Sequence, residues 1–345
     1  MIDAYSLLRP CLFSLDAEQA HHVTLNNLDR AERLGFLRFI IPPIPQNPQK
    51  LCGLTFPNPV GLAAGLDKDG RHIDALARLG FGFLEIGTVT PRAQPGNPKP
   101  RMFRITPAQA LINRMGFNND GVLPCVGRIR QSHFWQNGGI IGLNIGKNAS
   151  TPIEQAADDY LSAMAAVYEV ASYITINISS PNTQHLRTLQ DETPLRELLM
   201  RLSEARKSLA DQFGFKRPLF LKIAPDLLPA EVVLIANLLL EYDIDAVIAS
   251  NTTTLRDAVQ GLEHGEEMGG LSGSPLRLRS NQLIVALQAE LQHRIPSIGV
   301  GGIMSGADAK EKIVAGAQLI QLYTGLIYRG PTLIKECAEA LALPP

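Results

Sequence analysis

Residues 175–183 read Thr-Ile-Asn-Ile-Ser-Ser-Pro-Asn-Thr. A short segment rich in β-branched residues, which favour strands, ends here in hydroxyl and amide side chains. Pro181 lacks a backbone N–H and therefore stops the strand from continuing. The pattern is typical of a buried strand that ends at a working surface, although ordinary turn chemistry produces many such strand ends. Which of the two applies depends on whether other strand ends in the chain carry similar side chains.

Apolar or β-branched runs alternate with segments of helical periodicity along most of the chain. The runs lie at residues 60–64, 83–86, 140–143, 174–178, 219–223, 246–249, 297–300 and 319–322, and the main helical segments at 153–170, 195–213, 230–242, 276–291 and 307–315. Eight buried runs that alternate with helices predict an α/β fold, specifically a closed (β/α)8 TIM barrel. A doubly wound open sheet is the alternative. It is disfavoured because no Gly-x-Gly-x-x-Gly follows the first run.

The composition predicts a globular protein with a large core. The chain has 345 residues, of which 45% are hydrophobic and 19% charged, and its net charge of −1 offers no basic surface for nucleic acid. Its four cysteines are scattered without Cys-x-x-Cys spacing, so we expect free thiols in a reducing compartment and no metal site. No stretch approaches the roughly 18 apolar residues of a membrane span, and the N-terminus lacks a signal-peptide pattern. Any membrane association is therefore expected to be peripheral.

The first forty residues predict a small amphipathic helical extension. One helix covers residues 5–13, interrupted by Pro10, and Asp16 is the expected N-cap of a second helix, with Gln19 completing a capping box. The proline-rich segment 41–50 is the predicted linker to the main domain, 51–345. The two helices either pack on that domain or form a lipid-facing lid or a partner surface.

Several of the predicted strand ends carry polar or glycine-rich sequence where a (β/α)8 barrel places its catalytic residues. Glycines after the last two strands suit a phosphate, because backbone N–H groups can converge where no Cβ intervenes. The side-chain amides of four asparagines suit a planar ring whose rim alternates C=O and N–H, as in a pyrimidine. These are Asn113, Asn177, Asn182 and Asn251.

Two lysines, Lys68 and Lys222, lie at or just after strand ends, where burial is costly without an anionic partner. A substrate carboxylate or a reduced flavin anion could supply that partner. The neighbouring Asp67 and Asp226 are the structural alternative for each lysine.

Six segments of the sequence together closely resemble the dihydroorotate dehydrogenase family. They are Ala-Ala-Gly-Leu-Asp-Lys (63–68), Ile-Gly-Thr-Val-Thr-Pro (86–91), Asn-Arg-Met-Gly-Phe-Asn (113–118), Asn-Ile-Ser-Ser-Pro-Asn (177–182), Lys-Ile-Ala-Pro-Asp (222–226) and Ser-Asn-Thr-Thr (250–253). The match runs in order from about residue 50 to the C-terminus. Two features resemble the class 2, quinone-reducing branch: the helical extension, and serine rather than cysteine at position 180.

This resemblance implies oxidation of (S)-dihydroorotate to orotate in pyrimidine (UMP) synthesis, with FMN as hydride acceptor and a membrane quinone as final electron acceptor. It implies Ser180 as catalytic base together with Lys68. The implied substrate residues are Lys68, Asn113, Arg114, Met115, Gly116, Phe117, Asn177, Asn182, Asn251 and Thr252. The implied FMN residues are Ala64, Gly65, Thr88, Asn144, Asn177, Lys222, Ser250, Gly273, Gly302, Tyr323 and Thr324. His21 and Arg104 are expected beside the quinone.

The resemblance also implies peripheral attachment to lipid on the cytoplasmic side of the inner membrane. A class 1 enzyme that reduces fumarate or another soluble acceptor is the alternative, and Ser180 and the extension count against it. An RNA-modifying flavoprotein would need a basic surface, which the charge balance does not offer. A catalytically silent membrane-bound module would not need Ser180, Lys68 and the four amides together.

Overall fold

The structure is a computed structural model that describes residues 4–342. Residues 1–3 of the predicted extension and 343–345 of the predicted barrel domain lie outside the described residues. The helices are α1 (Ala4–Phe13), α2 (Ala17–Arg33), α3 (Leu37–Ile40), α4 (Ile73–Arg78), α5 (Val122–Gln131), α6 (His133–Gln136), α7 (Ala156–Val167), α8 (Glu192–Phe213), α9 (Pro229–Glu241), α10 (Arg277–Leu291), α11 (Gly306–Val314), α12 (Thr324–Arg329) and α13 (Thr332–Ala342). The strands are β1 (Gln49–Leu51), β2 (Leu54–Phe56), β3 (Val60–Leu62), β4 (Phe83–Val89), β5 (Met102–Ile105), β6 (Ala110–Asn113), β7 (Ile141–Ile145), β8 (Tyr173–Asn177), β9 (Leu219–Ile223), β10 (Ala246–Ala249), β11 (Gly270–Gly273), β12 (Ser297–Val300) and β13 (Ala317–Leu322).

Eight parallel strands close the barrel in the order β3, β4, β7, β8, β9, β10, β12 and β13, which confirms the predicted fold. Strand β8 pairs with β7 on one side and β9 on the other, in a register that sets Asn177 opposite Lys222. Since all eight strands run in the same direction, their C-terminal ends meet at one mouth of the barrel. The fold thereby gathers the polar strand ends on a single surface.

Aromatic side chains fill the lower part of the barrel. Tyr173 stacks on Phe220 with ring centroids 4.4 Å apart, and Phe83 contacts both Tyr173 and Phe56 edge to face. All four side chains are buried. The barrel is thus a packed core with a closed floor, and a ligand can enter from the mouth.

A three-stranded antiparallel sheet, which the sequence analysis did not predict, lies outside the barrel. It is ordered β11, β6, β5, and it joins residues that are about 160 positions apart in sequence, such as Leu271 and Ile112. Strand β11 ends at Gly273, which the resemblance implies as an FMN residue. The two-stranded hairpin of β1 and β2 begins at Gln49, inside the predicted linker.

The N-terminal extension forms the two predicted helices and a third short one, α3. Asp16 caps α2 as predicted, because its carboxylate accepts hydrogen bonds from the backbone N–H groups of Glu18 and Gln19. Helix α1 continues through Pro10 and packs against α12, and α2 packs against α4 and β5. None of the helices within residues 4–342 is long and apolar enough to cross a membrane.

Candidate active site

A cavity opens at the mouth of the barrel between the strand ends and the sheet of β6 and β11. It encloses about 1010 Å³ of space free of protein atoms, its open mouth included. Most of the predicted site residues line it: Ala64, Gly65, Lys68, Thr88, Asn113, Met115, Gly116, Phe117, Asn177, Ser180, Asn182, Lys222, Ser250, Asn251, Thr252, Gly273, Gly302, Tyr323 and Thr324. Residues that are up to 260 positions apart in sequence thus share one concave surface, as a binding site requires.

Two of the residues predicted to bind substrate or FMN lie outside this lining. Asn144 is completely buried below it, where its side-chain oxygen accepts a 2.5 Å hydrogen bond from the hydroxyl of Thr88. Arg114 is directed away from the cavity, with a 2.7 Å ion pair to Glu267 and its guanidinium 4.6 Å from the ring centroid of Phe103. Asn144 can therefore act on a ligand only through Thr88 or other neighbours, and Arg114 contributes its backbone rather than its charge.

Asn177, at the end of β8, makes hydrogen bonds through both its amide nitrogen and its side-chain oxygen. Its amide nitrogen donates to Thr88 at 2.9 Å and to Asn144 at 3.2 Å. Its side-chain oxygen accepts from the hydroxyl of Ser179 at 3.2 Å and from the amide of Asn251 at 3.3 Å. The result is a fixed row of polar groups across neighbouring strand ends, and its orientation is set before any ligand binds.

Ser180 lies three residues after Asn177, and only 6% of its surface is exposed. Its hydroxyl oxygen accepts a 3.2 Å hydrogen bond from the backbone N–H of Asn182. The amide of Asn182 in turn donates to the side-chain oxygen of Asn113 at 3.3 Å, across the cavity wall. A hydroxyl and two amides from different loops therefore lie side by side.

A buried carboxylate lies beneath the cavity. Glu85 of β4 is completely buried and accepts hydrogen bonds from Asn144 at 2.8 Å, Gln321 at 2.7 Å and Tyr173 at 3.2 Å. The ammonium of Lys222 lies 3.6 Å from the same carboxylate. Lys222 therefore has an anionic partner that the sequence analysis did not consider, while Asp226 pairs with Arg187 instead.

Lys68 also lines the cavity, within electrostatic reach of Glu18 in the extension. Burial lowers the pKa of Lys68 to about 8; Glu18 opposes this shift and Arg101 adds to it. Asp67 uses its carboxylate to accept hydrogen bonds from the backbone N–H groups of Arg71 and His72. The wall thus presents an ammonium group whose charge is sensitive to its surroundings.

The glycines at the ends of β12 and β13 bring backbone close to the cavity. Gly302 has a φ of +75°, and a Cβ there would lie 2.4 Å from the Cα of Arg277, so no other residue fits without a shift. Nearby, the hydroxyl of Thr324 donates to Ser272 at 2.9 Å. This corner of the cavity is built from small residues and hydroxyls, which suit a phosphate.

His21 lies in α2 of the extension and Arg104 lies in β5. Within the described residues 4–342, the cavity lining includes neither of them. Burial lowers the pKa of His21 well below its usual value, and the positive charge of Lys68 adds to this. Arg104 donates to the carbonyl oxygens of Leu12 and Leu15. Arg104 therefore joins the first part of the extension to β5.

Comparison with known proteins identifies the family of this chain. The family model for dihydroorotate dehydrogenase matches residues 47–343. The chain belongs to the dihydroorotate dehydrogenase family. It is 69% identical over 345 residues to a protein of Polynucleobacter necessarius subsp. necessarius, covering all of both chains, and 67% identical over 341 residues to one of Polynucleobacter asymbioticus, covering 99% of both. Both relatives are named dihydroorotate dehydrogenase (quinone).

Solved structures agree with the family. A DHODH from Eimeria tenella in complex with ferulenol superposes with a TM-score of 0.85 at 35% identity, over 94% of this chain and 90% of the other. The ligand-free form from the same organism gives a TM-score of 0.82 at 37% identity, over 91% and 92% of the two chains. More than nine-tenths of this chain therefore shares the architecture of these two structures.

The dihydroorotate dehydrogenase family is flavin-dependent in general. The cavity fits a flavin, because it combines a glycine-rich corner, fixed amides and the ammonium of Lys222. Two buried oxygens of its lining, Oγ1 of Thr252 and Oε1 of Gln321, have no hydrogen-bond partner within the described part of the chain. A polar ligand could satisfy both, so the donor and acceptor groups present are compatible with a bound flavin and substrate.

Some residues of the site were missed by the sequence analysis. Ser272, Gln321 and Ile303 line the cavity, and Glu85 lies beneath it. Glu85 did give a signal, since a carboxylate inside the apolar run 83–86 is costly unless it is paired. The position of Ser272 in the cavity wall could not be predicted, because it depends on the pairing of β11 with β6.

Proposed function

We propose that this protein oxidises (S)-dihydroorotate to orotate and passes the electrons to a membrane quinone, as a step of pyrimidine synthesis. The observation that carries the proposal is Ser180, a buried hydroxyl in a cavity lined by four side-chain amides. The two Polynucleobacter relatives named dihydroorotate dehydrogenase (quinone) support the same conclusion, because they match this chain over its whole length.

Substrate binding follows from the chemistry of the walls. Asn113, Asn177, Asn182 and Asn251 offer donors and acceptors to the C=O and N–H groups of the dihydropyrimidine ring. Lys68 supplies the positive charge for the substrate carboxylate, and the hydroxyl of Thr252 is free to bind the ring. Residues 115–117 also line the cavity and would contact the ring.

Ser180 acts as the base that removes the C5 proton of dihydroorotate. That proton lies beside a carbonyl, so negative charge develops on the carbonyl oxygen, where fixed amide donors stabilise it. The acceptor for the C6 hydride would be supplied by FMN bound at the mouth of the barrel. A serine hydroxyl is a weak base unless its own proton is relayed onward, so we expect a hydroxyl or water relay and a rate that rises with pH.

FMN would be held at the mouth of the barrel by residues from all around it. Lys222 would face the flavin with its charge compensated by Glu85, and the glycine corner around Gly302 would receive the phosphate. Further contacts are proposed for Ala64, Gly65, Thr88, Asn177, Ser250, Gly273, Tyr323 and Thr324, with Asn144 acting through Thr88.

The extension, residues 1–40, would guide the quinone from the membrane to the flavin. Large apolar side chains are exposed on its helices: Leu7 (67%), Leu8 (59%), Phe36 (56%), Phe39 (76%) and Ile40 (60%). Such a surface suits shallow insertion into lipid, and we propose peripheral attachment at the cytoplasmic face of the inner membrane. His21 and Arg104, at the inner side of the extension, would meet the quinone oxygens.

Anaerobic addition of dihydroorotate to the purified protein tests this proposal. We expect a yellow protein whose flavin absorbance bleaches with dihydroorotate and returns with a soluble quinone but not with fumarate. A protein that does not bleach contradicts the proposed function. Recovery with fumarate instead would favour the class 1 alternative.

A further inference from the structure

We propose that Glu18 and Arg101 are positioning residues through which the N-terminal extension sets the affinity of the substrate cavity for dihydroorotate and its product orotate. The inference rests on the proposed function, and it gives the extension a second role besides guiding the quinone. Its basis is a continuous chain of hydrogen bonds from α2 to the wall of the cavity.

The first link is a buried ion pair between the extension and the barrel. Glu18 of α2 is 4% exposed and Arg101, next to β5, is 7% exposed. Two guanidinium nitrogens contact the carboxylate, Nη2 to Oε1 at 2.7 Å and Nε to Oε2 at 3.1 Å. Lys99 adds a second cation at 3.4 Å. A paired, two-pronged contact of this kind fixes orientation, and loss of one partner leaves a buried charge uncompensated.

The second link runs from Arg101 to the loop of residues 95–97. Its Nη1 donates to the carbonyl oxygens of Pro95 at 2.7 Å and Asn97 at 2.8 Å. Between these two residues lies Gly96, where a Cβ would be 2.2 Å from the carbonyl oxygen of Met115. The loop is therefore packed directly against the substrate wall, and Arg101 holds it there.

The third link joins the loop to both halves of that wall. The backbone N–H of Asn97 donates to the carbonyl of Met115 at 3.0 Å. Its side-chain amide donates to the carbonyl of Arg114 at 2.9 Å and to that of Asn182 at 3.2 Å. Asn97 thus ties together two segments that come from different parts of the sequence, and both carry proposed substrate residues.

A second ion pair between the same helix and the barrel provides a matched comparison. Glu32 of α2 pairs with Arg78 of α4, with Nε of the arginine 3.0 and 3.2 Å from the two carboxylate oxygens. The Arg78 side chain is 52% exposed, and neither residue lines the cavity. Breaking this pair disturbs the contact between extension and barrel without reaching the substrate wall.

Titration of the oxidised protein with orotate, followed by the flavin absorbance, tests the inference in Glu18→Gln, Glu32→Gln and Asn97→Ala. We expect the dissociation constant for orotate to rise roughly tenfold in Glu18→Gln and in Asn97→Ala, a typical coupling between linked sites, and to stay unchanged in Glu32→Gln. The double variant Glu18→Gln/Asn97→Ala should lose no more than either single variant, because both break one chain of contacts.

Wild-type affinity in Glu18→Gln, or an equal loss in Glu32→Gln, overturns the inference. If Glu18→Gln does not fold, Asn97→Ala is the deciding variant. Wild-type affinity for orotate in Asn97→Ala would show that the contacts of Asn97 do not affect binding, and it would overturn the inference. Failure of the wild-type protein itself to bleach with dihydroorotate would count against the proposed function, and so the two failures are distinguishable.

Discussion

Ser180 accepts a hydrogen bond from the backbone of Asn182, which leaves its hydroxyl proton available to donate elsewhere. If it is the base for the C5 proton, Ser180→Ala should slow flavin reduction by dihydroorotate by roughly 10²- to 10⁴-fold, the usual contribution of a positioned base. The bound flavin should stay at its wild-type amount. Anaerobic stopped-flow absorbance measures the rate, and the flavin spectrum of the purified protein measures the content.

Ser179 provides the matched control for that experiment. It is the neighbouring serine, it is also buried, and its hydroxyl contacts Asn177 and Asn251. Ser179→Ala removes these supporting contacts but keeps the proposed base, so we expect a loss of about tenfold or less. Equal losses in the two variants would remove Ser180 from its proposed role.

The lowered pKa of Lys68 predicts how the affinity for orotate depends on pH. Burial lowers the pKa of Lys68 to about 8, so the ammonium is charged below this pH and becomes neutral above it. An orotate carboxylate that pairs with the ammonium should therefore bind with constant affinity from pH 6 to about pH 7.5. Above pH 8 its affinity should fall by roughly tenfold per pH unit.

Spectroscopic titration with orotate between pH 6 and 10 checks this dependence. In Lys68→Gln the affinity should be low throughout and should show no decrease near pH 8. A wild-type affinity that is flat to pH 10 would mean that the carboxylate binds elsewhere. The measurement concerns binding alone, so the rise of the reaction rate with pH that Ser180 predicts can be recorded separately.

Among the structural elements, strands β4, β7, β9 and β13 together build the polar layer under the cavity. Each contributes one side chain. The carboxylate of Glu85 accepts hydrogen bonds from the side chains of Asn144 and Gln321, and it forms an ion pair with the ammonium of Lys222. Glu85→Gln would leave the buried ammonium of Lys222 unpaired, which costs about 3–5 kcal/mol. We expect a lower thermal unfolding midpoint and a reduced flavin content after purification.

Two further variants separate charge from packing in this layer. Glu85→Gln/Lys222→Met removes both charges and should recover part of the lost unfolding midpoint, although not the flavin content. Tyr173→Phe removes the 3.2 Å hydrogen bond but leaves the ion pair, and it should have a much smaller effect. No recovery in the double variant would show that shape, rather than charge, explains the destabilisation.

The elements also show what the sequence could predict. Each barrel strand is a local apolar run between turns, and so its place follows from its own residues. The sheet of β5, β6 and β11 does not, because Gly270 and Asn113, which pair in it, are far apart in sequence. The partner of Lys222 was missed for the same reason, since proximity in sequence suggested Asp226 whereas Glu85 approaches from another strand.

For the whole molecule, the sequence predicted which strand ends would meet, because the C-terminal ends of all the parallel strands of a barrel lie at the same mouth. The orientation of individual side chains was not predictable from the pattern. Arg114 belongs to a polar motif beside the cavity, yet Glu267 and the ring of Phe103 hold its guanidinium outside. How the extension meets the barrel was equally hidden, because Glu18 and Arg101 are 83 positions apart in sequence.

The extension as a unit leads to the last prediction. Deleting residues 1–40 should slow reoxidation of the reduced flavin by a quinone by roughly a hundredfold, as misplacement of a reactant does. Reduction by dihydroorotate should continue once the substrate is saturating, although with the weaker affinity expected of Glu18→Gln. Anaerobic reduction and reoxidation, measured separately by flavin absorbance, distinguish the two half-reactions.

The full-length variant Phe39→Ser/Ile40→Ser isolates the contact with lipid. These side chains are 76% and 60% exposed. They lie in α3, after the C-terminal end of α2, whereas Glu18 lies in the first turn of α2, so orotate affinity and reoxidation by a soluble quinone should match the wild type. Co-sedimentation with vesicles that contain anionic lipid should be weaker, because apolar area buried in the membrane is lost. Undiminished sedimentation of this variant would place the membrane contact on another surface. For the variant that lacks residues 1–40, reoxidation by quinone at the wild-type rate would place the quinone path outside the extension.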